Sequence, residues 1–398
     1  MAKILIVDKS FAVGGIQTSL INMVKELKDK HEIEVLMFHD GGTLKNRFPE
    51  DVRIIEPCFL MRLHGMTAAD AKKKGILTYG MRILTGIFDR LFTNRFSIWF
   101  ALLFQKKLKG YDVAIAFHQE DAPRATVSGF YRFVSKKTDA AVKIGWIHYV
   151  PGTVSFDDRK NLKYMKNMDK LVCVSHATAE NFALAHPVLA DKIDYCYNFH
   201  DIEKIKTLSE SEPNIRFEKN RFYCFSASRL TAQKAIPRAI RAFAPVLQKN
   251  PDVVWYIAGD GSDRMECERL IAENGLSEQI VLLGALDNPY PHMKQCDLYI
   301  LPSLSEAAPM VYGEAMICKA PIFTSGTISA SEMVPEEFGC ICENSEEGLR
   351  NGLDELLSHR EQLIAYKKNF DEYEYTNMRS VEKIETLMAH TVQSREET

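Results

Sequence analysis

The chain has 398 residues, of which 46% are hydrophobic, 26% charged and 10% aromatic, with 50 basic side chains against 53 acidic. Those fractions exclude wholesale disorder, a collagen-like repeat and an integral membrane bundle. One core rarely outgrows roughly 250–300 residues, so the length predicts two domains, and a formal net charge of −3 lacks the basic excess of a nucleic-acid binder.

An apolar strand pattern begins at once over 3–7, with no secretory h-region before it, so a cytoplasmic protein is expected. A helical pattern over 15–30 and a strand over 32–38 follow. The segment 60–109 then departs from the average. It carries ten basic residues and only Asp70 and Asp89 as acids, a net +8 that leaves −11 for the remainder. Its stretch 76–109 mixes Leu, Ile, Phe and Trp99 with basic residues, the composition of helices lying on an anionic bilayer surface or of an ordinary amphipathic helix packed on a sheet. Its apolar runs are too short to span a membrane.

Strand candidates continue at 112–117, 142–147, 170–175 and 192–197, and in the second half at 221–226, 253–258, 280–283, 298–301 and 321–324. Helical patterns cover 235–249, 310–318 and roughly 360–388. This alternation predicts parallel sheets with crossover helices, one per half. The break falls in 199–220, where charge, serines and Pro213 interrupt the pattern. Expected domains are 1–205 and 206–374, with a C-terminal helix at about 375–398 packing back on the first. The nine cysteines show no C-x-x-C pair and read as free thiols; Cys340 and Cys342, placed in a strand, share one face.

In doubly wound folds ligands gather at the carboxyl ends of strands, so the following loops are the places to search. After 3–7 comes Phe11-Ala12-Val13-Gly14-Gly15, whose glycines allow close approach to a phosphate or sugar, or simply a tight turn. It lacks the third glycine of a dinucleotide fingerprint and the Gly-Lys-Ser/Thr of a P-loop. After 221–226, Arg229 and Lys234 suit the clamping of a diphosphate, or are solvated charges. Gly259-Asp260-Gly261 marks a turn after 253–258. After 298–301, Glu306 and Glu314 flank a strand-to-helix junction whose amides suit an anion and whose carboxylates suit hydroxyl groups; a helix cap with an exposed Glu is the alternative.

Taken together in this order and spacing, the Gly14-Gly15 loop, Arg229 with Lys234, Gly259-Asp260-Gly261 and Glu306-x7-Glu314 resemble the retaining glycosyltransferases of family 4. Trp146-Ile147-His148, Val174-Ser175 and Asn198 with Asp201 add to the likeness. The resemblance implies a GT-B fold, an α/β architecture of two facing Rossmann-like domains with a cleft between them. It implies an acceptor-side first domain and a nucleotide-sugar-binding second one. Arg229 and Lys234 would neutralise the donor diphosphate, Glu314 bind ribose hydroxyls and Glu306 the transferred sugar. Gly259 and the backbone of Ala308, Pro309, Met310 and Val311 would complete the donor site, Gly14 and Gly15 would close over it, and His148 would lie near the reacting centre. Two positions depart from the family: Ala307 and Lys319 stand where glycine is usual.

The implied activity is transfer of a hexose or N-acetylhexosamine from a UDP-sugar to a lipid-linked glycan acceptor in polysaccharide or glycoconjugate assembly, as in capsule synthesis. No D-x-D triplet occurs, so no metal cofactor is expected at the phosphates. The expected partners are a nucleotide sugar, a glycan acceptor and, through 60–109, an anionic membrane, with no nucleic acid; the expected site of action is the inner face of the cell membrane. Alternatives are another GT-B activity, a sugar-nucleotide epimerase or inverting transferase, or a non-catalytic sugar-binding partner subunit.

Overall fold

The structure is a computed structural model and describes residues 1–120, 124–152, 158–213, 215, 217, 218 and 220–396. The chain forms two compact units, one comprising Met1–Phe199 and the stretch from Asn377 onward, the other His200–Thr376.

The first unit holds β1 (Lys3–Asp8), β2 (Glu32–Met37), β3 (Arg53–Ile55), β4 (Val113–Ala116), β5 (Val142–Ile147), β6 (Lys170–Cys173) and β7 (Ile193–Tyr195). They make one sheet in the order β3-β2-β1-β4-β5-β6-β7, with every pairing parallel. β1 and β4 are buried along nearly their whole length, as expected where crossover helices cover both faces of a parallel sheet. The helix Met378–Glu396 belongs to this unit. Ile384, Leu387 and Met388 are buried, Lys383 pairs with Asp194 at 2.6 Å, and His31 Nε2 lies 2.9 Å from Glu385.

The second unit holds β8 (Phe222–Ala227), β9 (Val253–Ala258), β10 (Ile280–Gly284), β11 (Leu298–Leu301), β12 (Ile322–Ser325) and β13 (Gly339–Cys342). Their order is β10-β9-β8-β11-β12-β13, again all parallel. Successive residues face opposite layers, as the strand period requires. Leu298 and Ile300 join Trp255 and Phe243 on one face, whereas Tyr299 and Leu301 join Phe225 and Tyr312 on the other. In both units the strand order reverses between the first strand and the fourth, at β1/β4 and at β8/β11, which sets a crevice between two divergent loops there.

The structure departs from the sequence expectation at several points. β3 and β13 are additional edge strands. Cys340 and Cys342 lie on β13, half-buried against the core on one face. The chain passes between units at Phe199/His200 rather than at 205/206, because the helix Ile202–Ser209 places Ile205 in the second unit's core. The helical pattern of 360–388 is broken into Arg360–Asn369 and Met378–Glu396; between them Phe370 stacks on Phe338 at 4.5 Å. Tyr373 and Tyr375 also pack on the second unit's core. Lys319 takes the left-handed backbone, φ +58, that its glycine-like position calls for.

Candidate active site

The crevice of the six-stranded sheet lies between the loop after β8 and the loop after β11, and hydrogen bonds join the two loops. Leu304 N–H donates to Gln233 O at 2.8 Å, and Gln233 Nε2 donates to Ser305 O at 2.8 Å. Arg238 donates to Pro302 O at 2.7 Å, Ser325 to Ser303 O at 2.5 Å and Asn344 to Leu304 O at 2.9 Å. With those carbonyls occupied, the 302–305 stretch is held in one path, the preorganisation a binding site needs.

On that frame stand the expected charged residues. Lys234 Nζ meets Glu306 Oε1 at 2.6 Å, with 15% and 7% of the two side chains exposed. Lys234 precedes Ala235, whose φ of +52 is a left-handed turn that alanine adopts at a cost of about 1–2 kcal/mol, and the helix Ile236–Lys249 starts there. Arg229, by contrast, is exposed and makes no ion pair among the described residues. Its loop is clamped by the turn after β9. Ser228 N–H donates to Ala258 O at 3.0 Å and Leu230 N–H to Asp260 O at 2.9 Å. A Cβ on Gly259 would stand 1.8 Å from Ser228 O at a backbone φ of +140, so glycine is required by the approach of the two loops. The structure thus gives Gly259 a loop-packing contact with the segment that presents Arg229.

The helix Met310–Ile317 follows, with Pro309 as its N-cap residue. Proline has no N–H, so Pro309, expected among the binding amides, offers none; the donors at this turn are those of Ala308, Met310 and Val311. Glu314 Oε1 accepts from the Tyr290 hydroxyl at 3.4 Å, and Ala307 is buried. Sequence reasoning missed the support beneath. His200 Nε2 lies 2.9 Å from Met310 O, a carbonyl that can only accept, so Nε2 carries the proton and Nδ1 accepts from the Tyr375 hydroxyl, also at 2.9 Å. Burial pushes the His200 pKa down to about 4. A Cβ on Gly313 would come 2.4 Å from the His200 ring, so the helix rests directly on that imidazole.

At the carboxyl edge of the seven-stranded sheet the loop after β1 carries Gly14 and Gly15. Gly14 is the N-cap of the helix Gly15–Leu27 with φ 178, extended backbone that needs no glycine, although a Cβ would meet Gln17 Oε1 at 2.7 Å. His148 follows β5. Its Nε2 lies 2.8 Å from Phe117 O, which fixes the tautomer, and burial pushes its pKa down to about 4. It is therefore a neutral ring with Nδ1 as its acceptor atom. The β1/β4 crevice holds an acid–imidazole pair that the motifs did not point to. The buried Asp8 carboxylate ends β1, with Oδ1 3.4 Å from His118 Nδ1. A polar residue closing an apolar strand was the available signal. Among the described residues no three His, Cys, Asp or Glu side chains converge as a metal site.

Comparison with known proteins covers both units. The model of the family described as "Glycosyltransferase Family 4" matches residues 13–204 and that of "Glycosyl transferases group 1" matches 209–374. The chain is 28% identical over 204 residues to the N-acetylgalactosamine-N,N'-diacetylbacillosaminyl-diphospho-undecaprenol 4-alpha-N-acetylgalactosaminyltransferase of Campylobacter jejuni, covering 50% of this chain and 53% of that one. It is 26% identical over 231 residues to the alpha-galactosylglucosyldiacylglycerol synthase of Streptococcus pneumoniae, covering 52% and 58%. The chain spans about a third to a half of the length of the first curated relatives it matches. The fold of Anabaena HepE, solved with UDP and glucose, superposes with a TM-score of 0.63 at 18% identity over 100% of this chain and 99% of that one. Two parallel Rossmann-like sheets of that architecture, matched in sequence across both units, place the chain in glycosyltransferase family 4, with the GT-B fold.

Proposed function

We propose that the chain is a retaining, metal-independent glycosyltransferase that moves a hexose or N-acetylhexosamine from a UDP-sugar to a lipid-linked glycan acceptor at the inner face of the cell membrane. The observation that carries this reading is the Lys234–Glu306 pair at the β8/β11 crevice, with Arg229 on the adjoining loop. Transfer breaks the anomeric C–O bond to a diphosphate while positive charge grows on the sugar and negative charge on the departing oxygen. Fixed cations and amides aimed at that oxygen lower the barrier, and Lys234, Arg229 and the N–H groups of Met310 and Val311 supply them. Glu314 takes the ribose hydroxyls and Glu306 the sugar.

Both bacterial relatives named above form alpha products by their names. From an alpha-linked nucleotide sugar that outcome is retention, which supports the same stereochemistry here. A double displacement needs a free carboxylate on the far face of the sugar, and Glu306 is engaged by Lys234. The reading is therefore front-face attack, with the leaving phosphate accepting the acceptor's proton.

Thermal unfolding in the presence of UDP, UDP-glucose, UDP-N-acetylglucosamine and other nucleotide sugars tests the donor assignment, since a ligand of the native state raises the unfolding temperature by mass action. UDP-sugars should raise it, and anomer analysis of the product should give the alpha linkage. Absence of any nucleotide effect, or an inverted product, would refute the reading.

A further inference from the structure

The helix Ile76–Phe92 is built the wrong way round for a water-soluble surface. It is rich in Ile, Leu and Phe, yet its one buried residue is Asp89. With the helix Asn94–Phe104 it exposes Leu84, Leu91, Phe96, Trp99, Leu103 and Phe104, each more than half accessible, and Leu84, Leu91 and Phe96 line an open apolar groove of about 450 Å³. Large contiguous apolar patches are rare on a surface facing only water.

The inner side of this helix pair is fixed. Ile98, Ala101 and Leu102 sit in the first unit's core, Asp89 accepts from Ser97 at 2.5 Å and Asn94 Nδ2 donates to Ala125 O at 2.7 Å. The exposed apolar face is thus a rigid feature. Neither helix is long and apolar enough to cross a membrane.

We propose that these two helices lie in the plane of an anionic bilayer, with their outward apolar side chains in the acyl boundary. The charge pattern selects this occupant. Exposed Lys72, Lys73 and Lys74 precede the pair, exposed Lys106 and Lys107 follow it, and exposed Arg90 adjoins the turn between the helices. The segment 60–109 carries net +8. A second copy seated on the same face would bring two such surfaces together, whereas anionic headgroups neutralise them. The sequence expectation for 60–109 narrows to a defined pair of helices. The inference rests on the membrane-side part of the proposed function and names the surface that makes the contact; the transfer chemistry stands apart from it, since turnover with a soluble acceptor is unaffected by the outcome.

Trp99 is a built-in probe, since it is 54% exposed while Trp146 and Trp255, the other two tryptophans, are each 1% exposed. The full chain is titrated with vesicles of phosphatidylcholine alone and with about 30 mol% phosphatidylglycerol. Anionic vesicles should shift the emission to the blue, and brominated acyl chains should quench it. The double substitution Leu91→Ser, Phe96→Ser should weaken partitioning about tenfold or more, with thermal stability retained because both side chains face outward. Emission unmoved by anionic vesicles at low salt would overturn the proposal, as would binding that leaves Trp99 unchanged. A blue shift that follows protein concentration without lipid would overturn it in favour of self-association.

Discussion

Lys234 Nζ and Glu306 Oε1 are 2.6 Å apart in a pair that is largely withdrawn from water. A diphosphate reaching Lys234 must share that ammonium with the carboxylate. Removing one member of a buried pair leaves the other charge uncompensated and costs about 3–5 kcal/mol. Lys234→Ala should therefore both abolish the thermal shift produced by UDP and lower the stability of the free protein. Glu306→Gln should retain UDP binding and lose discrimination between sugars, as read by shifts across a nucleotide-sugar panel.

Arg229 separates binding from stability. Its side chain is exposed, so Arg229→Ala should change unfolding free energy by no more than about 0.5 kcal/mol while removing the UDP-induced shift. Calorimetric titration with UDP checks it, and undiminished affinity would remove Arg229 from the donor site.

Gly259→Ala should act on the same binding through the backbone. The added methyl meets Ser228 O at 1.8 Å with φ at +140, so the 228–230 loop has to move. A loss of at least about 2 kcal/mol in denaturant unfolding is expected, together with weaker UDP binding although no ligand-facing side chain has changed.

Lys319 illustrates the opposite case. At φ +58, with its N–H donating to Met316 O at 3.2 Å, it closes the helix Met310–Ile317 in a conformation glycine adopts more readily. Lys319→Gly should stabilise the second unit by about 0.5–1 kcal/mol, visible as a higher unfolding midpoint with the denaturant slope unchanged.

His64, His148 and His200 are each pushed down to about 4 by burial, against about 6.5 in an unfolded chain. Between those values the unfolded state binds the extra protons. Stability should therefore fall as pH drops from about 6.5 toward 4, by up to about 1.4 kcal/mol per pH unit for each ring. Urea midpoints at pH 7.5 and pH 5 test this. His64 and His148 lie in one unit and His200 in the other, so both units should lose stability on acidification.

The sheet cores were legible because runs such as Ile4–Val7 and Val253–Ile257 are continuous and apolar, the mark of strands buried on both faces. β3 and β13 were absent from the strand candidates because they are short edge strands, one of only three residues and the other, Gly-Cys-Ile-Cys, lacking paired β-branched residues, so that only the spacing of Cys340 and Cys342 touched on β13. At the site, residue types and loop positions could be read from motifs. What could not be read was partnership. Lys234 and Glu306 are 72 residues apart, and the tautomer of His200 depends on a tyrosine 175 positions away. Periodicity describes how a segment meets a core and carries no information about which polar atoms meet across loops.

The hydrogen bond between His200 and Tyr375 joins the first and nearly the last residues of the second unit, so that unit is an insertion with adjacent ends. This imposes an order on biosynthesis. At a translation rate of about 5–20 residues per second, the whole insertion emerges before Ile384, Leu387 and Met388, which complete the packing of the first unit. The half synthesised first is therefore the half finished last, and for roughly 10–35 s its incomplete face waits for a helix not yet made.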